Sequence, residues 1–218
     1  MFEKPPYNFI AVEGNIGSGK TTLAKMLAAD FNSKLMLEQF EDNPFLPDFY
    51  KNPDRFAMHV ELSFLAERYT HVKETFQSLD LFNQLILSDY MFQKCAVFAK
   101  ATLKPDEFDL FKKLYEIIIK VLPTPDLIIY LHSDLNKLQS QIKKRGRSYE
   151  NAIPDSYLEK INKGYFQFFK TLRKTPILVI NTNEMDFVAQ PSDYEKIKNL
   201  FLLPHQKGIQ YFNFDQNS

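Results

Sequence analysis

The chain has 218 residues, 44% of them hydrophobic, and its 27 Lys and Arg are matched by 27 Asp and Glu. A chain this long removes about 70% of its unfolded surface from water, so it needs no covalent staple. Its single cysteine, Cys95, cannot form an internal disulfide, and no charged leader precedes an apolar segment, so a cytoplasmic location is expected. The balanced charge excludes a global field that would recruit nucleic acid or an anionic membrane, and no apolar run reaches the ~18 residues of a membrane span.

In chain order, "NFIAVEG" (8–14) reads as a first strand, "KLMLEQF" (34–40) as a second, "QLILSD" (84–89) as a third, "DLIIYLH" (126–132) as a fourth and "PILVINT" (176–182) as a fifth. Short apolar runs alternating with helical patterns are the mark of a parallel sheet covered by helices. The expectation is a three-layer α/β domain with a five-stranded parallel sheet. Between the second and third strands, residues 52–76 predict one long helix, with Asn52 able to cap it and Pro53 at its first position. Residues 104–122 and 153–172 carry apolar side chains at three- and four-residue spacing, as amphipathic helices do. No repeat or linker divides the chain, so a single domain over 1–218 is expected. The aromatic tail "GIQYFNFDQNS" is too short to fold alone and either packs on the body or frays.

The stretch after the first strand is the most informative. Gly14, Asn15, Ile16, Gly17, Ser18, Gly19, Lys20, Thr21 and Thr22 fit the pattern GxxxxGKS/T, placed between a strand and the helix it opens. Glycines let successive backbone N–H groups face phosphate oxygens, the helix N-terminus adds positive potential, Lys20 reaches the outer phosphates and the Thr21 hydroxyl can ligate Mg²⁺. This is a polyphosphate site. The loop leaves the acceptor of the phosphate open.

The acceptor is indicated by a resemblance. "EGNIGSGKTTL", "LEQF", "FYKNPDRFAMHVELSFLAER", "KKRGRSYE" and "IPDSYLEKINKGY", in this order, are similar to the deoxynucleoside kinases, particularly the bacterial deoxyadenosine and deoxyguanosine kinases, over nearly the whole chain. The resemblance implies a P-loop kinase fold with an arginine-rich lid, at about 143–153 here, and a tail from about 204. It also implies ATP- and Mg²⁺-dependent phosphorylation of a deoxynucleoside 5′-hydroxyl, a homodimer, and no nucleic-acid or membrane partner. Carried over by position, Glu38 matches the general base, Tyr50 a contact to the sugar 3′-hydroxyl, Glu61 a base-reading glutamine and Arg68 a base-pocket arginine. Arg145 and Arg147 match lid arginines that close on the transferring phosphate, and Glu150 a lid glutamate that reaches the 3′-hydroxyl. Without the resemblance, Glu38 reads equally as a solvated strand-end acid, and Glu61 and Arg68 as surface charges on an amphipathic helix.

The chain also departs from the family. Relatives usually carry an acidic-Arg-Ser triplet after the third strand, where this chain has "SDYMFQKCAVFAK". Depending on register, Asp89 or Tyr90 stands in the arginine's place, Asp89 becomes a candidate strand-end acid near Mg²⁺, and Lys94 or the lid arginines are left to supply the missing charge. Lys94 stands where relatives often have a base-contacting aspartate. Glu61, unlike glutamine, presents only acceptors when ionised, which suits the adjacent donors of guanine and favours a purine. Alternatively it is neutralised by Arg68 or Lys94 and merely orients them. The rival activities are a nucleoside monophosphate kinase of the thymidylate kinase type and a nucleotide-binding regulatory module; for a guanine-nucleotide switch, "NTNEMD" (181–186) lacks the lysine of an Asn-Lys-x-Asp signature.

Overall fold

The computed structural model describes residues 4–39, 43–78, 85–150 and 153–214. Its elements are strands β1 (Phe9–Gly14), β2 (Lys34–Met36), β3 (Ile86–Ser88), β4 (Leu127–His132), β5 (Pro176–Asn181) and β6 (Gly208–Asn213), with helices α1 (Lys20–Asp30), α2 (Leu46–Lys51), α3 (Pro53–Gln77), α4 (Lys94–Thr102), α5 (Pro105–Ile118), α6 (Leu135–Arg145), α7 (Asp155–Phe169) and α8 (Pro191–Phe201). All strand pairs are parallel, in the order β2-β3-β1-β4-β5-β6.

The sheet therefore has six strands, not five. The sixth comes from the tail: Gly208 through Asn213 pair with Pro176 through Asn181 of β5. The tail is too short to fold alone, and β5 offers it a row of unpaired backbone groups, so packing prevails over fraying. The second and third strands are shorter than expected. Residues 37–39 carry on beyond β2 without ladder pairing, while residues 40 and 84 lie outside the described residues.

β1, β4 and β5 are almost wholly apolar because both their faces are covered. On one face Ile10, Val12, Ile129 and Leu178 pack against Leu23 and Leu27 of α1 and Ile197 and Phe201 of α8. On the other, Ala11, Tyr130 and Val179 meet Ile161, Tyr165 and Phe169 of α7. A third cluster joins Phe9, Met36 and Ile86 to α3, α4 and α5 through Val60, Val72, Cys95 and Phe111. The long helix α3 begins at Pro53 as expected; Asn52 caps it through its backbone carbonyl, which accepts from Arg55 and Phe56, and not through its side chain. The helix expected over 104–122 is α5 followed by a 3₁₀ turn at 119–121.

This layering brings the C-terminal ends of β1, β2 and β3 together beneath the flanks of α3 and α4. In open parallel α/β sheets, ligands bind outside the carboxyl ends of the strands, where crossovers diverge.

Candidate active site

The phosphate loop leaves β1 at Gly14 and enters α1 at Lys20. Gly17 and Gly19 hold φ of +84° and +90°, and a Cβ on Gly17 would lie 2.8 Å from the Leu138 carbonyl oxygen, so the loop admits no side chain there. Lys20 Nζ folds back to donate to the Asn15 carbonyl at 2.9 Å. Burial and the nearby Lys94 charge lower its pKa to about 8. The Asn15 side chain serves structure: its amide donates to Leu158 O at 2.8 Å and ties the loop to α7, while its oxygen accepts from Ile16 N.

At the ends of β2 and β3 three sequence-predicted residues converge on Glu38. Arg68 Nη2 lies 2.6 Å from Oε1, and Lys94 Nζ lies 2.8 Å from Oε2. These two cations hold the Glu38 carboxyl far below the usual carboxylate range against the opposing effect of burial. Asp89 bridges the two halves of the site: Oδ2 accepts from the Thr21 hydroxyl and Oδ1 accepts from Glu38 N at 2.8 Å. Tyr90 is fully buried and its hydroxyl pairs with His71 Nδ1 at 3.0 Å; the cations beside Glu38 are Lys94 and Arg68.

Glu61 and Arg68 are 2% and 5% exposed, which removes the reading of both as surface charges. They line one cavity with Tyr50, Lys94 and Glu150. Within it Glu61 Oε1 accepts from the Thr102 hydroxyl at 2.9 Å, and burial pushes its carboxyl up to about 7. Arg145 ends α6, Gly146 turns the chain in the left-handed region at φ 76°, and the 3₁₀ turn 148–150 follows. Glu150 is buried and pairs with Arg145, and with Arg147 at 3.4 Å. Tyr50 stacks on Tyr149 with ring centroids 6.0 Å apart. Residues 151 and 152 of the expected lid lie outside the described residues.

A second, larger cavity of about 600 Å³ opens on the other side of the loop, lined by Gly17, Gly19, Thr22, Lys25 and Lys144 among others. The two cavities share Lys20, Thr21, Glu38, Arg145 and Arg147. One side is polar and cationic, as a polyphosphate requires; the other is walled by Phe49, Phe64, Phe98 and Tyr157, as a nucleobase requires.

The chain from residue 10 to 201 matches the family model described as deoxynucleoside kinase. It belongs to the deoxynucleoside kinase family. It is 38% identical over 193 residues to a deoxyguanosine kinase of Bacillus subtilis (strain 168), covering 87% of this chain and 93% of the relative. It is 30% identical over 200 residues to the deoxyadenosine/deoxycytidine kinase of the same organism, covering 88% and 91%. A structure of the deoxyadenosine kinase from M. mycoides, with products dCMP and a flexible dCDP bound, superimposes with a TM-score of 0.76 at 27% identity, covering 88% of this chain and 97% of that one. The chain is thus a kinase acting on nucleoside and nucleotide substrates. Among its described residues no helix is long and apolar enough to cross a membrane.

The kinase's site also holds residues that its sequence does not single out. Glu13, the charged position of the otherwise apolar β1, is fully buried; its carboxylate accepts from Met91 N and the Tyr165 hydroxyl, each at 2.7 Å, and so fixes the turn carrying Asp89 and Lys94. A lone carboxylate in a strand buried on both faces was the available signal. Thr102 gives no such signal, because its role depends on a partner on another helix.

Proposed function

We propose that this kinase transfers the γ-phosphate of ATP to the 5′-hydroxyl of a purine deoxynucleoside, as a single-domain homodimeric enzyme of cytoplasmic nucleotide salvage that uses neither nucleic acid nor membrane. The observation that carries this reading is the pair of cavities meeting at Lys20, Thr21, Glu38, Arg145 and Arg147. The donor phosphates occupy the cationic side, on Gly14 through Thr22, and the nucleoside occupies the aromatic side.

In the transfer, the 5′-oxygen forms a bond to the γ-phosphorus as the bond to the β–γ bridging oxygen breaks, and the hydroxyl proton passes to Glu38. Two cations make Glu38 a weak base. Phosphoryl transfer passes through a loose transition state with little charge on the attacking oxygen, so the proton moves late, when the oxygen has become acidic. Lys20, Arg145 and Arg147 neutralise the phosphoryl oxygens, where most of the catalysis of such reactions resides. Tyr50 and Glu150 hold the sugar 3′-hydroxyl, and Glu61, Arg68 and Lys94 border the base.

The Thr21 hydroxyl and the Asp89 carboxylate, already in contact, form a hard-oxygen pair of the kind Mg²⁺ takes when phosphates and water complete its shell. There the ion would neutralise charge on the phosphates. Among the described residues no group of three or more His, Cys, Asp or Glu side chains could hold a metal unaided, which agrees with an ion that arrives with its nucleotide.

A monophosphate acceptor would need spare cations on the aromatic side. Arg68 and Lys94 are committed to Glu38 there, which favours a nucleoside. The test is ATP consumption with each deoxynucleoside, ribonucleoside and nucleoside monophosphate. Turnover with purine deoxynucleosides is expected; turnover confined to monophosphates, or to none of them, overturns the reading. Sedimentation tests the dimer.

A further inference from the structure

Among the described residues lining the aromatic cavity, Glu61 carries a buried side-chain oxygen, Oε2, with no hydrogen-bond partner. Its surroundings decide what that oxygen can do. The cations that could neutralise Glu61 are occupied: Arg68 gives Nε and Nη2 to Glu38 and Nη1 to Cys95 Sγ at 3.1 Å, and Lys94 gives Nζ to Glu38. The other groups that Glu61 senses are Glu38 at the end of β2, whose charge opposes its ionisation, and Cys95 from α4, Tyr50 from α2 and Tyr157 from α7, all three held neutral by burial. The remaining contact is Thr102 on α4, whose hydroxyl has one proton and two acceptors in reach, Glu61 Oε1 at 2.9 Å and Phe98 O at 3.0 Å. An ionised Glu61 draws that proton to Oε1. With Glu61 protonated, the Thr102 hydroxyl can turn to Phe98 O. One geometry thus serves both protonation states: in both of them Oε2 is left for a ligand, and Oε1, with two lone pairs, keeps one for it even while it accepts from Thr102.

The two states read different bases. An ionised carboxylate presents two acceptors, the complement of guanine's adjacent ring N–H and amino group. A protonated one presents an O–H and a carbonyl oxygen, the complement of adenine's ring nitrogen and amino group. We propose that Glu61 is a proton-gated base reader, selecting deoxyguanosine when ionised and deoxyadenosine when protonated, so that pH sets the purine preference of this kinase. The proposal rests on the reading that the aromatic cavity takes the nucleoside. Burial places the transition close to neutrality, at about 7. Guanine binding below that pH releases the proton to solvent, and adenine binding above it takes one up.

The experiment is the ratio of kcat/KM for deoxyguanosine to that for deoxyadenosine from pH 6 to pH 8. Because the ionised-to-protonated ratio changes about tenfold per pH unit, the selectivity ratio is expected to rise by roughly 10- to 100-fold in the wild type. It should be flat in Glu61→Gln, which is fixed as donor plus acceptor. Thr102→Val, which removes a hydrogen bond favouring the ionised form, should move the midpoint to higher pH, an effect a merely structural threonine would not have. Calorimetry of deoxyguanosine binding at pH 6 in buffers of different ionisation enthalpy should show proton release. A ratio that does not change with pH in the wild type, or that rises equally in Glu61→Gln, overturns the gate while leaving the kinase reading intact. Absence of turnover with every deoxynucleoside at every pH overturns both.

Discussion

Lys94 Nζ sits 2.8 Å from Glu38 Oε2, on a helix that begins six residues after β3 ends. Lys94 thus sets beside Glu38 a cation of the kind expected from an arginine immediately after the third strand. Here β3 ends at Ser88 and Asp89-Tyr90 follow it; the acid turns to the phosphate loop, and the cation arrives from α4. We predict that Lys94→Met lowers kcat by at least tenfold and that Lys94→Arg restores most of it. The pH profile separates a charge effect from misfolding. Glu38 is depressed well below the carboxylate range, so its ionised form is complete above that range and is lost only at strongly acid pH. The wild type should therefore show no acid limb of kcat from Glu38 above pH ~5, while Lys94→Met should bring one into view at higher pH. Identical profiles would remove Lys94 from the chemistry.

Periodicity and order made the layers legible, because strands buried on both faces are apolar and Pro53 before an apolar-periodic run suits the first position of a helix. The edge was not legible: whether Gly208–Asn213 becomes a strand depends on β5 having a free side, and nothing local to the tail says so. The same division runs through the site. The phosphate loop is contiguous and is visible as a pattern. The Glu38–Lys94 pair spans 56 residues and the Glu61–Thr102 pair 41; the first depends on where α4 starts relative to the end of β2, the second on how α3 and α4 pack. Spacing placed Glu61 and Arg68 on one face of α3, yet only tertiary packing shows that this face is buried and that Arg68 answers to Glu38, not to Glu61.

Glu38→Gln keeps the shape of the side chain and removes its ability to take a proton. We predict that both substrates still bind while kcat falls by about 10²–10⁴-fold, the range for a lost general base. A loss under tenfold in steady-state turnover would mean that solvent takes the proton and that Glu38 only positions.

Lys20 is held near pKa 8 by burial and by Lys94, so above pH 8 it is largely neutral until a polyphosphate binds. Polyphosphate favours the ammonium form. Binding ATP at pH 8.5 is therefore expected to take up a proton, seen by calorimetry as an enthalpy that varies with the buffer. Lys20→Ala should abolish that uptake together with turnover, and should weaken nucleotide binding. Proton uptake that persists in Lys20→Ala would assign it to another group.

Glu61 has a cost that can be read in stability. Its folded-state pKa, about 7, is raised above the ordinary 4.5, so the folded protein binds this proton more tightly than the unfolded chain does. The destabilisation is absent below pH 4.5, grows between 4.5 and about 7, and is complete above that. We predict that Glu61→Gln stabilises the protein by about 1–3 kcal/mol at pH 8.5, a rise in Tm of several degrees, and has little effect at pH 4.5. Equal shifts at both pH values would show that the charge is not the cause.

Tyr50 stacks on Tyr149 and senses the charge of Glu150, whose carboxylate is engaged by Arg145 and Arg147. A substrate 3′-hydroxyl entering between Tyr50 and Glu150 would thus meet a phenol and a carboxylate held in place by Arg145 and Arg147, which would couple sugar recognition to the expected lid. Removing a partner from a buried hydroxyl costs about 1–3 kcal/mol, or roughly 5- to 150-fold in affinity. Tyr50→Phe should therefore raise KM for a deoxynucleoside by a factor in that range and leave a 2′,3′-dideoxynucleoside nearly unaffected, because the analogue has no hydroxyl to lose. Glu150→Gln should also weaken the deoxynucleoside, and in addition lower kcat, since it loosens the arginines that neutralise the phosphoryl oxygens. If Tyr50→Phe affects both nucleosides equally, Tyr50 does not touch the 3′-hydroxyl; if Glu150→Gln changes KM alone, the coupling through the lid is absent.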